Sequence, residues 1–309
     1  PGGRAVTKAF KVAKGLAAVA AGCFAWGLVE ATRFQVRHVT VPVLPAGSPE
    51  LRVLHLSDVH LLPSQQLKLN FLRSLAELKP DLVINTGDNI ASDTAIVPLM
   101  SALGRLQDVP GGFVFGSNDY HRPEFKNPLR YVTRGRSEAS EAPEPLATEQ
   151  LRAALTRSGE WHDLNDRRAI VEAGGYRIEM RGTDDAHHDL DHYPAVAGPP
   201  SSGVDLSLGV THAPYRRILD VMTADGVELI LAGHTHGGQV CVPGFGALTT
   251  NCDLPADRVK GLSEHHTEGH HTWLHVSAGI GTSPFAPYRF ACPPEVTLLT
   301  LVGAQGSGS

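Results

Sequence analysis

Cysteine and net positive charge are scarce in this chain, and each shortage excludes a class of function. The 309 residues include 4 cysteines, and none of them forms a Cys-x-x-Cys pair, which argues against a thiolate zinc site or a thioredoxin-like motif. The net charge of −5 argues against a dedicated nucleic-acid-binding protein, so no nucleic-acid partner is expected. Cys241 and Cys252 flank a Pro/Gly turn, where they either pair in an oxidising compartment or remain small buried thiols.

Long apolar runs are also scarce, and the one that stands out lies at residues 15–29, near the N-terminus. A membrane span needs about 20 apolar residues, and this run approaches that length when Ala31 and Thr32 are added. We predict that residues 1–35 form a membrane anchor or a signal-like segment. An interfacial helix and an Ala-rich helix packed on the domain are the alternatives. Four basic residues before the run favour membrane association with the domain on the extracytoplasmic side of a bacterial envelope.

Strand and helix patterns alternate through the rest of the chain, whose length and 42% hydrophobic content suffice for one large α/β domain or two small ones. Apolar runs predict strands at residues 39–43, 51–56, 82–85, 113–115, 204–210, 227–231, 239–242, 273–276 and 296–302. Helical periodicity predicts helices at residues 66–78, 95–106, 148–159 and 215–222. Gly174 and Gly175 join two further strands into a predicted hairpin. This order predicts two packed sheets flanked by helices, in a domain over residues 36–303.

Two stretches interrupt the strand and helix pattern. Residues 120–148 are polar and rich in Pro, Arg and Glu, and residues 184–203 are rich in Asp, His, Pro and Gly. Long irregular loops are uncommon in compact domains unless they are functional or disordered. Because both follow predicted strands that carry candidate ligands, we interpret them as the rims or cap of a pocket. Residues 304–309 are typical of a flexible, engineered tail.

Five short segments place metal ligands directly after predicted strands. They are Asp58-Val59-His60, Gly87-Asp88-Asn89, Gly116-Ser117-Asn118-Asp119, Thr211-His212 and Gly233-His234-Thr235-His236. Side chains two residues apart project to one side of an extended segment, so Asp58 and His60 can reach one ion. A carboxylate has two oxygens, so Asp88 can bridge two ions. Since ligands gather at the carboxyl ends of strands in α/β sheets, the five segments together predict a two-metal hydrolytic site.

Most of these residues also have a structural explanation when each is taken alone. A turn, a helix cap or a satisfied core position would account for Asp58, His60, Asp88 and His212. The His-x-His segment between glycines is harder to explain, because glycine costs backbone entropy and two imidazoles on a tight turn gain little from packing. His55 lies in the predicted strand at residues 51–56, where alternation turns it to the other face, so we expect it to be buried and structural.

The ordered set resembles the calcineurin-like metallophosphoesterase superfamily, in its bacterial membrane-associated branch. That family's pattern runs Asp-x-His, Gly-Asp, Gly-Asn-His-Asp/Glu, His, Gly-His-x-His, and the match spans residues 51 to about 302. The resemblance implies an α/β fold of four αββα layers, with two mixed β-sheets flanked by helices. It also implies two metal ions, one held by Asp58, His60 and His236, the other by Asn118, His212 and His234, with Asp88 bridging. Mixed imidazole, carboxylate and amide ligation favours Mn, Fe or Zn.

One motif departs from the family's pattern. Without a gap, Ser117 takes the place of the ligand Asn, and Asn118 takes that of the following His. An amide oxygen suits a metal better than a hydroxyl, so a slip of one residue that restores Asn118 as the ligand is favoured. In either alignment no His follows directly, and we expect His121 or Tyr120 to act on the leaving group instead.

Further residues are predicted to support catalysis and substrate binding. The expected catalytic residues are Asp88, Asn118, Asp119 and His121. We expect Asp119, Asn85 or Asp184 to orient the ligating imidazoles. Arg122, Lys126 and Arg130 are expected to bind the phosphate or an anionic head group, since guanidinium groups pair well with phosphate oxygens. A solvated loop, balanced by nearby glutamates, is the equal alternative for this basic cluster.

The expected activity is hydrolysis of a phosphomonoester, phosphodiester or pyrophosphate by a metal-bridging hydroxide. For a membrane-tethered enzyme, a phospholipid or envelope phosphoester is the hypothesised substrate. The alternative is a catalytically weak or inactive metal-binding scaffold of the same fold, which the altered Gly-Ser-Asn-Asp motif favours. The intact ligand set argues against a scaffold, because convergent polar groups are costly to bury. The acidic balance of charge disfavours a nuclease.

Overall fold

Two six-stranded β-sheets form the centre of the protein in a computed structural model that describes residues 2–124, 143–267 and 269–304. In spatial order, the strands of the first sheet are β1 (Gln35–Leu44), β14 (Glu295–Gly303), β2 (Leu51–Leu56), β3 (Leu82–Asn85), β4 (Gly111–Phe113) and β5 (Trp161–Asp163). All neighbouring strands in this sheet are parallel except β14 and β2. The carboxyl ends of β2 to β5 therefore lie at one edge.

The second sheet is parallel in its interior and antiparallel at both edges. In spatial order, its strands are β12 (Gly261–Thr267), β13 (His270–Val276), β9 (Leu229–Ala232), β8 (Leu206–Thr211), β7 (Tyr176–Gly182) and β6 (Arg168–Ala173). A separate two-stranded hairpin consists of β10 (Cys241–Val242) and β11 (Gly246–Ala247).

The described residues also form six α-helices. They are α1 (Gly2–Glu30), α2 (Gln66–Ser74), α3 (Ile96–Leu103), α4 (Ser117–Tyr120), α5 (Thr148–Leu155) and α6 (Arg216–Ala224). Short 3-10 helices lie at Leu75–Leu78, Asp93–Ala95, Gly104–Asp108, Tyr193–Ala195 and His236–Gly238.

Alternation along the strands separates three apolar cores. Ile84 of β3 and Leu231 of β9 belong to the core between the two sheets. Val83 points the opposite way, into the core that the first sheet forms with α2, α3 and α5. Ile230 packs with Leu219 of α6 on the outer face of the second sheet. Because successive side chains of a strand point to opposite faces, each sheet packs against the other sheet on one face and against helices on the other. This gives the four αββα layers that the sequence predicts.

Most predicted strands are confirmed. Strands β2 and β3 have the predicted bounds, and Gly174 and Gly175 form the turn between β6 and β7. The bounds of β4 are wrong by two residues, because the strand pairs at Gly111–Phe113 rather than at 113–115. Strands β5 and β12 escaped prediction because one has three residues and the other is polar.

The predicted helix at residues 66–78 is shorter than expected. It is α-helical to Ser74 and continues as a 3-10 turn. Phe71, Leu75 and Leu78 pack in the core at helical spacing, whereas Leu67 is exposed and Lys68 is buried. The ammonium of Lys68 donates to the carbonyl oxygens of Val59 (2.7 Å) and His60 (3.3 Å), and these bonds offset the cost of its burial.

Helix α1 is long and apolar enough over Phe10–Glu30 to cross a membrane, by length and composition. Apolar side chains on several of its faces are exposed, including Phe10, Leu16 and Val19. Its last turn contacts the domain, where the buried carboxylate of Glu30 accepts hydrogen bonds from the backbone of Ala291 and Cys292. The alternative of an Ala-rich helix packed on the domain therefore applies to its end alone.

The sequence left two alternatives open for Cys241 and Cys252, a disulfide between them or small buried thiols. All four cysteines are free, with Cys292 buried and Cys241 and Cys252 partly buried. The structure thus has thiols at these positions.

Candidate metal centre

Three ligand-type side chains converge beyond the carboxyl ends of β2 and β9. One ligand atom from each of Asp58, His60 and His236 lies within 4.8 Å of the others. The Nε2 atoms of His60 and His236 are 3.2 Å apart, and their rings stack with centroids separated by 5.0 Å. Asp58 and His60 are buried, and His236 is partly buried. These are the residues that the sequence resemblance groups around one metal ion.

A second cluster adjoins the first through Asp88. Ligand atoms of Asp58, Asp88 and His212 lie within 4.8 Å of one another. Oδ2 of Asp88 is 3.3 Å from Nε2 of His60, and Oδ1 is 3.5 Å from Nε2 of His212. Nδ1 of His234 lies 3.3 Å from the same nitrogen of His212. Asp88 therefore presents one oxygen to each cluster, which is the arrangement of a bridging carboxylate.

The loops that carry these ligands have an unusual backbone conformation. Positive φ angles occur at Asp58 (49°), His60 (44°), Asp88 (56°), His234 (69°) and His236 (50°). Residues other than glycine rarely adopt such angles, which persist only where the surroundings impose them. Two backbone hydrogen bonds do so here: Asp58 N–H donates to Gly87 O, and His60 N–H donates to Asp88 O, both at 2.9 Å. The strained loops turn the ligand side chains towards one another.

Two motif glycines leave the space that the ligands occupy. A Cβ atom on Gly116 would lie 2.5 Å from the ring of His212. A Cβ atom on Gly233 would lie 2.6 Å from Oδ2 of Asp58. Real side chains do not tolerate such contacts, so these positions require glycine for close approach.

Backbone carbonyl groups contact the outer nitrogens of three imidazoles. The pairs are His212 Nδ1 with Thr86 O (2.7 Å), His234 Nε2 with Asn251 O (3.1 Å) and His236 Nδ1 with Gly281 O (3.3 Å). Nδ1 of His60 is buried and has no hydrogen-bond partner among the described residues. A ring nitrogen that donates to a carbonyl leaves the other nitrogen with its lone pair free for a metal.

The carboxylates and the amide that we expected to orient the imidazoles, Asp119, Asn85 and Asp184, contact other groups. Buried Asp119 accepts hydrogen bonds from the backbone N–H groups of Asp88 (2.8 Å) and Asn89 (2.7 Å). Asn85 bonds to the same loop, and Asp184 accepts a hydrogen bond from the hydroxyl of Tyr120 (2.6 Å). The expectation was wrong because the N–H groups of the tight Gly-Asp-Asn turn need buried acceptors of their own.

Burial and mutual proximity shift pKa values across the centre. Burial raises the pKa of Asp58 to about 6. Burial lowers the pKa values of His60 and His234 well below the ordinary range, so both imidazoles are neutral at pH 7. Burial alone would lower the pKa of His212, but Asp88 and Asp58 outweigh it and raise that pKa to about 9. Carboxylates beside the neutral imidazoles of His60 and His234 are a donor set that fits divalent transition metals, and His212 has to lose its proton to join that set.

The side chains of the altered motif lie in different places. Asn118 contacts Asp88 twice, since its backbone N–H donates to Oδ1 and its Nδ2 donates to Oδ2, both at 2.8 Å. The hydroxyl of Ser117 instead donates to Oδ2 of Asp185 (2.7 Å). Asn118 is thus the motif residue beside Asp88.

The loop at residues 184–203 brings His187 to the second cluster, and His188 lies next to it. The ring of His187 lies 4.4 Å from that of His234, centroid to centroid. Nδ1 of His188 is 2.9 Å from Oδ2 of the buried carboxylate of Asp185, and the ring of His121 packs edge-on against His188 at 6.4 Å. Our sequence reasoning selected His121 and missed His188, although the Asp-Asp-Ala-His-His run in a predicted rim loop was a usable signal.

Two buried cations beneath the first cluster also escaped sequence reasoning. Lys68, described above, holds the backbone that carries His60. Arg289 is fully buried, donates to the carbonyl of Gly281 (2.6 Å), and has Nη2 3.3 Å from Nδ1 of His236. Neither residue lies in a local motif, because each reaches the centre only through tertiary packing.

Of the three residues predicted to bind phosphate, Arg122 lies within the described part of the chain. Arg122 is exposed and pairs with Asp93 and Glu144, at 3.3 Å each. Lys126 and Arg130 lie outside the described residues. Pairing of Arg122 with carboxylates matches the solvated-loop alternative at that position.

Comparisons with known proteins agree with this geometry. The family model for calcineurin-like phosphoesterases matches residues 51–238, which include all five motifs. The chain is 26% identical over 287 residues to the uncharacterized metallophosphoesterase YkuE of Bacillus subtilis, covering 89% of this chain and 86% of that protein. It is 25% identical over 263 residues to the phosphodiesterase YaeI of Escherichia coli, covering 81% and 82%. It is 28% identical over 275 residues to a transmembrane protein with metallophosphoesterase domain from Bos taurus, covering 87% of this chain and 57% of that longer protein.

Proposed function

Because the chain belongs to the calcineurin-like phosphoesterase family and is a metal-dependent phosphoester hydrolase, we propose how the centre just described performs that chemistry. The first proposed ligand set is Asp58, His60 and His236, the second is Asn118, His212 and His234, and Asp88 is shared. The position of Asp88 supports this assignment most directly, since each of its oxygens lies within 3.5 Å of a different cluster's imidazole. The mixed donor set favours Mn, Fe or Zn as the ions.

Divalent ions held by these residues would lower the pKa of a bound water and offset the charge that develops during an in-line displacement at phosphorus. The chain's residues supply the orientation that this chemistry needs. The carboxylate of Asp119 fixes the Asp88 loop by accepting hydrogen bonds from the backbone N–H groups of that loop. The side chain of Lys68 fixes the His60 loop by donating to the backbone carbonyl groups of that loop. We assign both residues a positioning role. Substrate would bind on the open side, where His236 and His188 are partly exposed.

The proton that the leaving group requires is assigned to His188. Nδ1 of His188 faces the buried carboxylate of Asp185, which holds the ring and leaves Nε2 to carry a proton towards solvent and substrate. Tyr120 is a poorer donor, because its hydroxyl donates to Asp184, and burial with that bond raises its pKa far above the ordinary value. His188, beside His121, thus takes the part of the histidine that the motif lacks.

We further propose that the substrate is a lipid-borne phosphomonoester or phosphodiester, and that α1 anchors the protein in a bacterial membrane. The exposed apolar side chains of α1 and its length support the anchor. Lys11 and Lys14 precede the most apolar part of the helix, and the excess of positive charge there favours a domain on the extracytoplasmic side.

The first experiment measures hydrolysis of bis(p-nitrophenyl) phosphate by the Mn-loaded chain, together with metal content per chain. We expect two metals and turnover in the unsubstituted chain, and a loss of at least about a hundredfold in Asp88→Asn, since a bridging ligand serves both ions. Asp108→Asn, at an exposed aspartate, is the matched control and should leave both measurements unchanged. Two bound metals without turnover on any phosphoester would instead support the scaffold that the altered motif suggests.

A further inference from the structure

The hairpin β10–β11 presents a cluster of exposed apolar side chains beside the metal centre. Val242 is 43% exposed, Phe245 at the turn is 76% exposed, and Leu248 just after the hairpin is 57% exposed. We call these three residues the apolar rim. Large apolar side chains scattered singly are normal on a protein surface, but three on one short hairpin call for a partner.

The apolar rim is tied directly to the metal ligands. The hairpin begins five residues after His236, and Ala247 packs so closely on Gly238 that a Cβ at that glycine would collide with it. Past the hairpin, Asn251 contacts Nε2 of His234. The rim therefore borders the mouth of the centre.

A loop at residues 286–292 joins the hairpin to the end of helix α1. On one side, the amide of Gln239 donates to the carbonyl groups of Ala286 (3.0 Å) and Tyr288 (3.1 Å). On the other side, Arg289 N–H donates to the carbonyl of Gly27 in α1 (3.0 Å). Helix end, loop and hairpin therefore form one continuous surface.

Aromatic side chains at the end of α1 mark where a membrane surface would lie. Trp26 is near the C-terminal end of the apolar stretch, and the ring of Phe24 packs on Tyr288 at 5.7 Å. Arg33, just past the helix, lies over the ring of Trp26 at 5.5 Å. Trp, Tyr and Arg are the residues that favour the boundary between hydrocarbon and water.

We propose that the apolar rim inserts into the lipid headgroup region next to α1 and holds the mouth of the centre against the bilayer. The partner is the lipid surface itself, since the loop at residues 286–292 joins the rim to a helix that is long and apolar enough to span a membrane. The inference rests on the proposed function and deepens it. A centre in this position takes its phosphoester from an amphiphile in the same leaflet.

The first test locates the rim in the full-length chain, reconstituted in nanodiscs of phosphatidylethanolamine and phosphatidylglycerol. We compare Phe245→Trp with Val97→Trp, since Val97 is 77% exposed on α3. Brominated lipids should quench the added fluorescence of Phe245→Trp and leave that of Val97→Trp unaffected. Equal quenching of the two added signals would overturn the proposal.

The second test compares two p-nitrophenyl phosphodiesters, phosphatidyl-p-nitrophenol in the nanodisc and bis(p-nitrophenyl) phosphate in solution. Replacing Phe245 and Leu248 together by Ser should lower kcat/KM for the lipid diester by about tenfold or more and leave the soluble diester unchanged. Val97→Ser is the control and should change neither. A double variant that treats both diesters alike would overturn the proposal. If the unsubstituted chain hydrolyses neither these diesters nor the monoester p-nitrophenyl phosphate, the proposed function fails, and the quenching test still decides the position of the rim.

Discussion

Asp88 is the residue on which the two clusters depend together. It lies in the left-handed region of backbone conformation, and each oxygen faces an imidazole of a different cluster. Its loop is held by the side chain of Asp119, whose own pKa burial raises to about 7. A carboxylate that receives backbone N–H groups in this way fixes Asp88 without competing for its oxygens.

The residues proposed as ligands could be singled out from the sequence, whereas the residues that support them could not. Asp58 and His60 are two residues apart, as are His234 and His236, so both pairs are recognisable as short sequence motifs. Lys68 and Arg289 reach the centre through packing between distant segments, which no local pattern encodes. His188 was within reach of prediction, but its pairing with Asp185 appears only in three dimensions.

The role proposed for His188 predicts a dependence on the leaving group. In His188→Gln, kcat/KM should fall by about a hundredfold or more for a phenyl phosphodiester, because a poor leaving group needs a proton. The loss should be small for bis(p-nitrophenyl) phosphate, whose leaving group departs as an anion. The measurement is the slope of log kcat/KM against leaving-group pKa in a series of aryl phosphodiesters.

His121→Gln is the matched control for this measurement. It should leave the slope unchanged, since His121 contacts His188 only through ring packing. A steeper slope in His121→Gln, with an unchanged slope in His188→Gln, would transfer the role to His121.

Among the elements, those with strong apolar periodicity were predictable and the others were not. Strands β2 and β3 are buried along their length, and their bounds follow from composition alone. Periodicity correctly places Leu75 in the core, but it gives no sign that Lys68 turns inward, because the bond of Lys68 to a backbone carbonyl group is a tertiary contact. Strand β12 is polar on its outer side, so its own residues do not indicate a strand. It forms because it pairs with β13.

The contact between α1 and the domain depends on Glu30. Its carboxylate accepts hydrogen bonds from Cys292 N–H (2.8 Å), Ala291 N–H (3.1 Å) and the indole of Trp26 (2.9 Å). In Glu30→Gln, the amide NH₂ would face one of these donors, so we expect a loss of about 1–3 kcal/mol in the free energy of detaching the helix end. Faster tryptic cleavage at Arg33 in nanodiscs measures this detachment.

Glu50→Gln, at an exposed glutamate before β2, provides the comparison for the tryptic assay. Its cleavage at Arg33 should match that of the unsubstituted chain. Unchanged cleavage in Glu30→Gln as well would show that the hydrogen bonds of Glu30 do not hold the helix end.

Across the whole molecule, a pair of buried histidines links the two sheets. Nδ1 of His55 in β2 is 2.9 Å from Nδ1 of His275 in β13, and both side chains are buried, as expected for His55. Burial lowers the pKa of His275 to about 4, and burial with the neighbouring His275 lowers that of His55 well below its ordinary value. Below about pH 6.5, the unfolded chain therefore begins to bind protons on these histidines, while the folded protein keeps both rings neutral.

This pair predicts that the protein loses stability as pH falls below about 6.5, and that the loss continues towards pH 4. The unfolded state binds more protons in that window, so the free energy of unfolding decreases with decreasing pH. In His275→Asn, the loss between pH 7.5 and 5 should be smaller by about 2 kcal/mol, because the titrating ring is gone. Urea denaturation in detergent at the two pH values measures the difference.

His271→Asn, at an exposed position in the same strand, is the control for the pH experiment. It should show the same pH dependence as the unsubstituted chain. Equal pH dependence in all three proteins would mean that the pair between the sheets does not govern acid stability.

Strand β14 lies between β1 and β2 in the first sheet, although it is the last strand of the described chain. During synthesis, β1 and β2 leave the ribosome early and wait for more than 200 intervening residues before their common neighbour exists. The segment leading into β14 also completes the first cluster, because Gly281 N–H donates to the carbonyl of Asp58. Contacts of such long sequence separation form late in folding. The candidate metal centre is therefore complete only after Gly281 and β14 have been synthesised, so a nascent chain that lacks this segment would lack part of the centre.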